Sequence, residues 1–458
     1  MRIVDLASAL GGKASSYRAS DGLLVEHGWH MVVGFYKNLP DLARRAGVDP
    51  ERALVSLGGV GHGYEPSHGG IFTTNSRGGR AEVAANFNRY GGLPFEDRVN
   101  FGRVMAEAFA VALSGEDLTR HDDICFDSWA VEHGLRRHIT HYSIFRFLRL
   151  AYFNYPEQMS AYHMLETMRR MSTSEGAEIY VARGGTSEVL WNPIGDYVRR
   201  LGAQILPRTV VTDWIYDGDR ITGLRIADAF ETGPVVPART GPRPAFPAIL
   251  GTERTQDGFD YIVSTVPPPV LVAMNPDDTR MWQSPFFRRL HNLRSVCTVS
   301  LTVTTARRVN TFPGPVHGFP SPLNFAVDMK PYWSEFASRD DVGSVLVFGG
   351  QETGFEGWTD SQIVDFTIDN FSRVPAFGDI RAAGITKVEF HRNGKPWERL
   401  FLCEPGVQQF RPGVRTPFKN LFFAGDWVRN DVSIVTMEGA VTSGMEAADA
   451  VLDAAAAR

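Results

Sequence analysis

Apolar residues along this chain follow two rhythms, and each predicts a different kind of element. Phe101, Val104, Met105 and Ala108 recur at i, i+3, i+4 and i+7 within a stretch of helical period from about residue 80 to 174. Further helices are predicted over 159–171, over 193–201 with Gly202 as C-cap, and over 440–452. Short apolar runs closed by an acid, prolines or a glycine predict buried strands. These are Arg2-Ile-Val-Asp5, Tyr261–Val266 before Pro267-Pro-Pro269, and Leu421–Ala424 before Gly425. Val210–Tyr216 and Ile221–Ile226 flank Asp217-Gly-Asp219, which is hairpin chemistry. A second sheet is predicted from about residue 293, with Val296–Val303 alternating and later strands over 323–328 and 344–348. Gly22–His30 reads as a strand and turn, and Thr232–Pro247 as a surface loop rich in Pro and Gly. No internal repeat is visible.

Composition narrows the classes. A chain of 458 residues has room for two to three domains on the usual prior, and 43% apolar with 22% charged residues is globular rather than disordered. With 47 basic against 52 acidic residues, an electrostatic nucleic-acid binder is not expected. The cysteines, Cys125, Cys297 and Cys403, form no C-x-x-C pair and read as reduced thiols in a cytoplasmic setting; no metal site is expected. No signal peptide or run of about twenty apolar residues is seen. The expectation is a cytoplasmic protein, at most in peripheral contact with a membrane.

Candidate chemistry concentrates near the C-terminus. In Asn420-Leu-Phe-Phe-Ala-Gly-Asp426-Trp an apolar strand stops at Gly425, and Asp426 projects beyond the strand end. Thr436-Met-Glu-Gly-Ala then opens a helix. A strand feeding a helix N-terminus suits an anionic or electron-rich group, because free N–H groups and the helix dipole point at it. Together these segments resemble the C-terminal signature of flavoproteins in the amine oxidase and phytoene desaturase superfamily. The N-terminus agrees: an acid, Asp5, ends a strand, and the pair Gly11-Gly12 with Lys13 follows at the superfamily's spacing, with Leu6 in place of the usual Ala. In a Rossmann-type fold such an acid holds the adenosine ribose.

The fingerprint G-x-G-x-x-G would need about thirty residues ahead of Asp5. The run Gly58-Gly-Val-Gly-His-Gly63 is spaced differently and meets Pro66, so a turn or loop is predicted there. Three explanations are open: Met1 is an internal start, a separate partner chain supplies the N-terminal unit, or the chain has lost the cofactor. The first is preferred, because the other cofactor-side signals survive.

Among subfamilies the chain looks most like the plant- and cyanobacterial-type carotenoid desaturases. Val25–Tyr36, Ser321–Asp328 and Gln409-Phe-Arg-Pro412 carry that likeness. The resemblance implies an α/β fold, with a Rossmann-like FAD-binding domain (1–75, 176–285, 412–458) interleaved with an α+β substrate domain (76–175, 286–411). It implies FAD bound non-covalently, with Asp5 on the ribose, Gly11, Gly12 and Lys13 along the phosphates, and Val211 on the adenine. Gly425, Asp426, Met437 and Glu438 would then line the pyrophosphate-to-flavin end. His30 and Arg307 are the candidate catalytic residues. His27, Trp29 and His30 also fit a satisfied core turn, and Arg307 a solvated strand end. The implied activity is dehydrogenation of a hydrophobic small molecule by hydride transfer to the flavin. The alternatives are a flavin amine oxidase and a non-catalytic, partner-dependent subunit. Aromatic residues including Phe145, Phe147, Tyr152, Phe153 and Trp333 fit either a long pocket or plain core.

Overall fold

The computed structural model describes residues 1–26, 28–58, 60–65, 70–75, 93–142, 145, 154–173, 175–229, 235–237, 245–247, 249–274, 279–309, 314–317, 323–375 and 377–457. His27, Phe147, Tyr152 and Phe153 lie outside them, as does most of the 232–247 segment.

Two short parallel ladders form where apolar runs were predicted to be buried strands. Arg2–Val4 runs beside Gln204–Leu206, and Ile262–Ser264 runs beside Leu421–Phe423. Leu421, Phe422 and Phe423 are all buried, as a strand covered on both faces should be, whereas Arg2–Val4, predicted as a buried strand, is exposed to half-buried. Among the described residues, the second edge of Arg2–Val4 and of Ile262–Ser264 pairs with no strand, and Val263 is 43% exposed. Thr209–Asp217, Arg220–Ala229 and Ile249–Gln256 make an antiparallel meander, its first hairpin turning at Gly218 with φ +58°. That left-handed φ is what the Asp-Gly-Asp turn demands of its glycine.

The larger sheet has seven strands, in the order 385–393, 298–305, 344–351, 323–328, 316–317, 60–65 and 70–75. Alternation in Thr298–Thr305 sets its faces. Val299, Leu301 and Val303 pack with Phe348, Phe355, Ile368 and Phe371 beneath the helix Asp360–Ser372. Helices Phe95–Ala112, Phe126–Glu132 and Ala161–Arg170 pack on one another through Val104, Ala108, Phe126, Trp129, Leu165 and Met168. The last helix, Met437–Ala456, starts at the capping hydroxyl of Thr436, which accepts from the Gly439 amide.

One expectation is corrected here. Val60–Glu65, predicted as a turn or loop, is a strand that pairs with Gly70–Asn75 and runs parallel to Val316–His317. Glycines weaken an isolated strand, but neighbours on both sides hold this one in register. The hairpin therefore belongs to the sheet built mainly from 286–411, not with the N-terminal cofactor side.

Candidate active site

The N-terminal loop is held from behind by buried polar contacts. Gly11 and Gly12 have φ of +119° and +55°, and a Cβ on Gly11 would lie 2.4 Å from the Trp191 ring. Only glycine fits that combination of dihedral and close approach. The Ala14 carbonyl then accepts from Thr186 Oγ1 and Trp191 Nε1, each at 2.7 Å. Ser16 and Ser187 exchange hydrogen bonds, each amide donating to the other's hydroxyl. The buried Glu26 accepts from the Thr186 amide, and the His30 ring bonds the Lys13 carbonyl at 2.8 Å. This scaffold aims the Lys13 ammonium at Asp426, which it meets at 2.8 Å from 413 positions away in sequence.

Asp426 is fixed in turn by Arg411. This guanidinium is fully buried and donates to the carbonyls of Asp426, Trp427, Val428 and Ser433, at 3.1, 3.2, 2.9 and 2.8 Å. Backbone carbonyls thus do the work of a counter-ion, and burial pulls the Arg411 pKa down. Asn430 completes the clamp: its amide nitrogen donates to Val428 and Gly439, and its oxygen accepts from the Val432 and Ser433 amides. At the strand end Gly425 has φ +134°, and its amide donates to Ser443 in the last helix.

Two depressions flank this junction. Asp5, Ser8, Leu10, Trp191, Asn192 and Arg199 line the first. Asp5 accepts from the Ala7 amide, and burial raises its pKa. The second cleft lies at the carboxyl ends of Ile262–Ser264 and Leu421–Phe423. Lys13, Pro267–Pro269, Arg294, Arg399, Asp426 and Trp427 line it, over apolar walls from Leu293 and Phe401. Ligands in open α/β sheets sit at carboxyl strand ends of this kind.

The structure brings Gly11, Gly12, Lys13, His30, Gly425 and Asp426 to one junction and puts Asp5 in the neighbouring depression. Val211 is half-buried in the meander, paired with Ile226. Met437 opens the last helix and packs beside Tyr36 and Leu39. Glu438, expected to face a ligand, is committed elsewhere. Its carboxylate accepts from the Lys37, Asn38 and Leu39 amides, at 2.8, 2.7 and 2.9 Å, capping the helix Asn38–Arg45. Arg307 is corrected outright. It is exposed at the far end of Thr298–Thr305 and donates to the Ala382 carbonyl. At about 3.3 Å per residue that strand separates Arg307 from the cleft end by roughly 25 Å. Sequence reasoning missed Arg411, Arg399 and the N–H of Trp427. Gln409-Phe-Arg-Pro412 was the signal for the first.

The family model described as flavin containing amine oxidoreductase matches residues 3–452. A 15-cis-phytoene desaturase from Synechococcus elongatus is 22% identical over 98% of this chain and 90% of its own length. A zeta-carotene desaturase from Synechocystis is 24% identical over 99% and 92%. Among solved structures, a putrescine oxidase variant superposes with a TM-score of 0.69 at 12% identity, covering 98% of this chain and 93% of that one. A cyclohexylamine oxidase from Brevibacterium oxydans gives 0.64 at 15% identity, covering 98% and 92%. These structural likenesses establish the fold.

Proposed function

Since the chain belongs to the flavin containing amine oxidoreductase family, we propose that it is an FAD-dependent dehydrogenase, or desaturase, of an apolar isoprenoid- or lipid-like substrate. FAD is the cofactor of the family, and the residues present fit it. The observation that carries the reading is the junction where Gly11–Lys13 meets Gly425–Asp426. Glycines without Cβ atoms, an ammonium and a carboxylate converge there at the carboxyl ends of parallel strands. Asp5 in the adjoining depression would take the ribose hydroxyls; Lys13, Gly11 and Gly12 would lie along the phosphates; Asp426 would meet the polyol chain.

FAD supplies the redox chemistry when bound, accepting a hydride equivalent. The protein's contribution is position and dryness. Arg411 and Asn430 fix the 426–433 loop so that the Asp426 carboxylate is presented without reorganisation, the preorganisation on which electrostatic catalysis depends. The His30 ring buttresses the Lys13 carbonyl and so aims the ammonium. Leu293, Phe401, Trp427 and the three prolines put apolar surface beside that junction and keep it dry. Full-length similarity to two desaturases supports an apolar substrate over an amine.

The test begins with absorbance of the purified protein before and after incubation with FAD. Uptake at one equivalent, with the two bands of oxidised flavin, is expected. Anaerobic bleaching by an acyclic polyene and not by mono- or diamines supports the desaturase reading. Bleaching by an amine replaces it with the amine oxidase alternative, and a protein that takes up no FAD overturns both.

A further inference from the structure

The helix Phe95–Ala112 is apolar on two faces, and its own chain covers only one of them. Asp97, Val104, Ala108 and Ala112 turn inward and are buried. On the other side Phe95, Val99, Gly102, Ala106, Phe109 and the C-cap Leu113 are all exposed, at alternating steps of four and three residues. On a helix of 3.6 residues per turn those steps keep all six within an arc of about 80°, a narrow seam rather than scattered surface. Phe95 is 66% exposed, Val99 54%, Phe109 37% and Leu113 46%. A helix that is apolar on every side belongs in a buried place.

The seam is its own complement when reversed. Laid antiparallel about a two-fold axis level with position 104, Phe95 faces Leu113, Val99 faces Phe109 and Gly102 faces Ala106. Small residues at the centre let two backbones approach closely, and large apolar side chains interlock at both ends. The charges beside the seam are already spent within the chain. Arg103 donates to Glu107 at 3.2 Å and to the His133 carbonyl at 2.9 Å, and Glu96 pairs with Arg136 at 3.4 Å. Covering the seam therefore strands no charge. A lipid surface is the poorer match, because membrane-surface helices carry a surplus of Lys and Arg along the polar face, whereas these flanks are balanced pairs.

We propose that this seam is the two-fold contact of a homodimer, in which residues 95–113 of two copies pair antiparallel as a short coiled coil. The four large side chains present roughly 400 Å² of apolar surface per copy. With the edges of both helices added, two copies bury about 1,000 Å², the lower bound of a specific interface. The dimer is accordingly a weak one, with a dissociation constant on the order of 10 µM. It is independent of the flavin chemistry and of the site that serves it.

The test is sedimentation velocity on the full chain from about 1 to about 200 µM, where a shift from monomer to dimer is expected. Ala106→Glu sets two like charges together at the centre of the seam and is expected to weaken the dimer about a hundredfold. Its circular dichroism and melting temperature should match the wild type, since Ala106 is exposed. Orientation is read by oxidative cross-linking. Phe95→Cys chains mixed with Leu113→Cys chains are expected to form a disulfide-linked dimer. Phe95→Cys chains alone are not, because antiparallel pairing holds their two cysteines roughly 25 Å apart. A monomer at every concentration, a dimer that Ala106→Glu leaves intact, or Phe95→Cys cross-linking to itself overturns the pairing. A protein that stays monomeric but floats with phosphatidylcholine vesicles, and ceases to float as Ala106→Glu, overturns it in favour of lipid.

Discussion

His163 shows how much one buried side chain can report. It is fully buried in the helix Ala161–Arg170, with Ser160 Oγ at 3.2 Å on one ring nitrogen and Gln408 Nε2 at 3.1 Å on the other. Burial, and secondarily the charge of Arg411, hold its pKa well below the ordinary histidine value. The folded state therefore keeps this ring neutral where the unfolded chain protonates it. Its stabilising contribution is complete above about pH 6.5 and is lost as pH falls toward the depressed folded value. Raised carboxyls such as Asp122 act in the opposite sense, because a group held protonated in the fold gains stability on acidification. The comparison must therefore be with a His163→Gln variant. Denaturant titrations from pH 7 to 5 should show a steeper loss for the wild type, by up to about 1.4 kcal/mol per pH unit. Parallel curves for the two proteins would remove His163 as the source.

At the level of elements, Glu438 couples two helices through a single carboxylate. It lies in the first turn of Met437–Ala456 and satisfies three amides that open Asn38–Arg45. Glu438→Gln keeps the shape, removes the charge and substitutes a donor for one acceptor. A loss of about 1–2 kcal/mol is expected, with faster hydrogen exchange at the Lys37, Asn38 and Leu39 amides in particular. If exchange there stays at the wild-type rate, the cap is not what holds that helix. The same residue marks where sequence reading stops. Gly425-Asp426 was legible because a strand that stops at glycine exposes the acid after it, and Gly11-Gly12-Lys13 through its resemblance to the superfamily's spacing after Asp5. The role of Glu438 was not, since its partners lie about four hundred residues upstream and nothing local encodes them. Gly61 and Gly63 misled for a related reason: glycines read as a loop until pairing on both flanks makes the strand Val60–Glu65. Arg411 was visible inside its motif, but its function is written in the carbonyls of another segment. Periodicity found the long helices and the alternating sheet, while the side-chain donors of the cleft required three separate segments to be brought together.

Across the whole molecule, no helix among the described residues is long and apolar enough to cross a membrane. The organising feature is that segments about four hundred residues apart meet at one junction: Lys13 meets Asp426, and Asn38 meets Thr442. These are about the most distant pairings in sequence that a chain of this length can make, and closing them comes late and slowly in folding. Order of synthesis then becomes part of the chemistry. A growing polypeptide has finished Gly11–Lys13 and the meander long before the ribosome adds the residues that face them. The half-site must wait, with Lys13 lacking its carboxylate and Asn38–Arg45 lacking its cap. Chains arrested before Asp426 should fail to retain FAD, and chains released after the final helix should retain it, as flavin fluorescence on stalled and released complexes would show. Cofactor loading would then act as a proofreading step, marking only chains whose synthesis has passed Asp426 and Glu438.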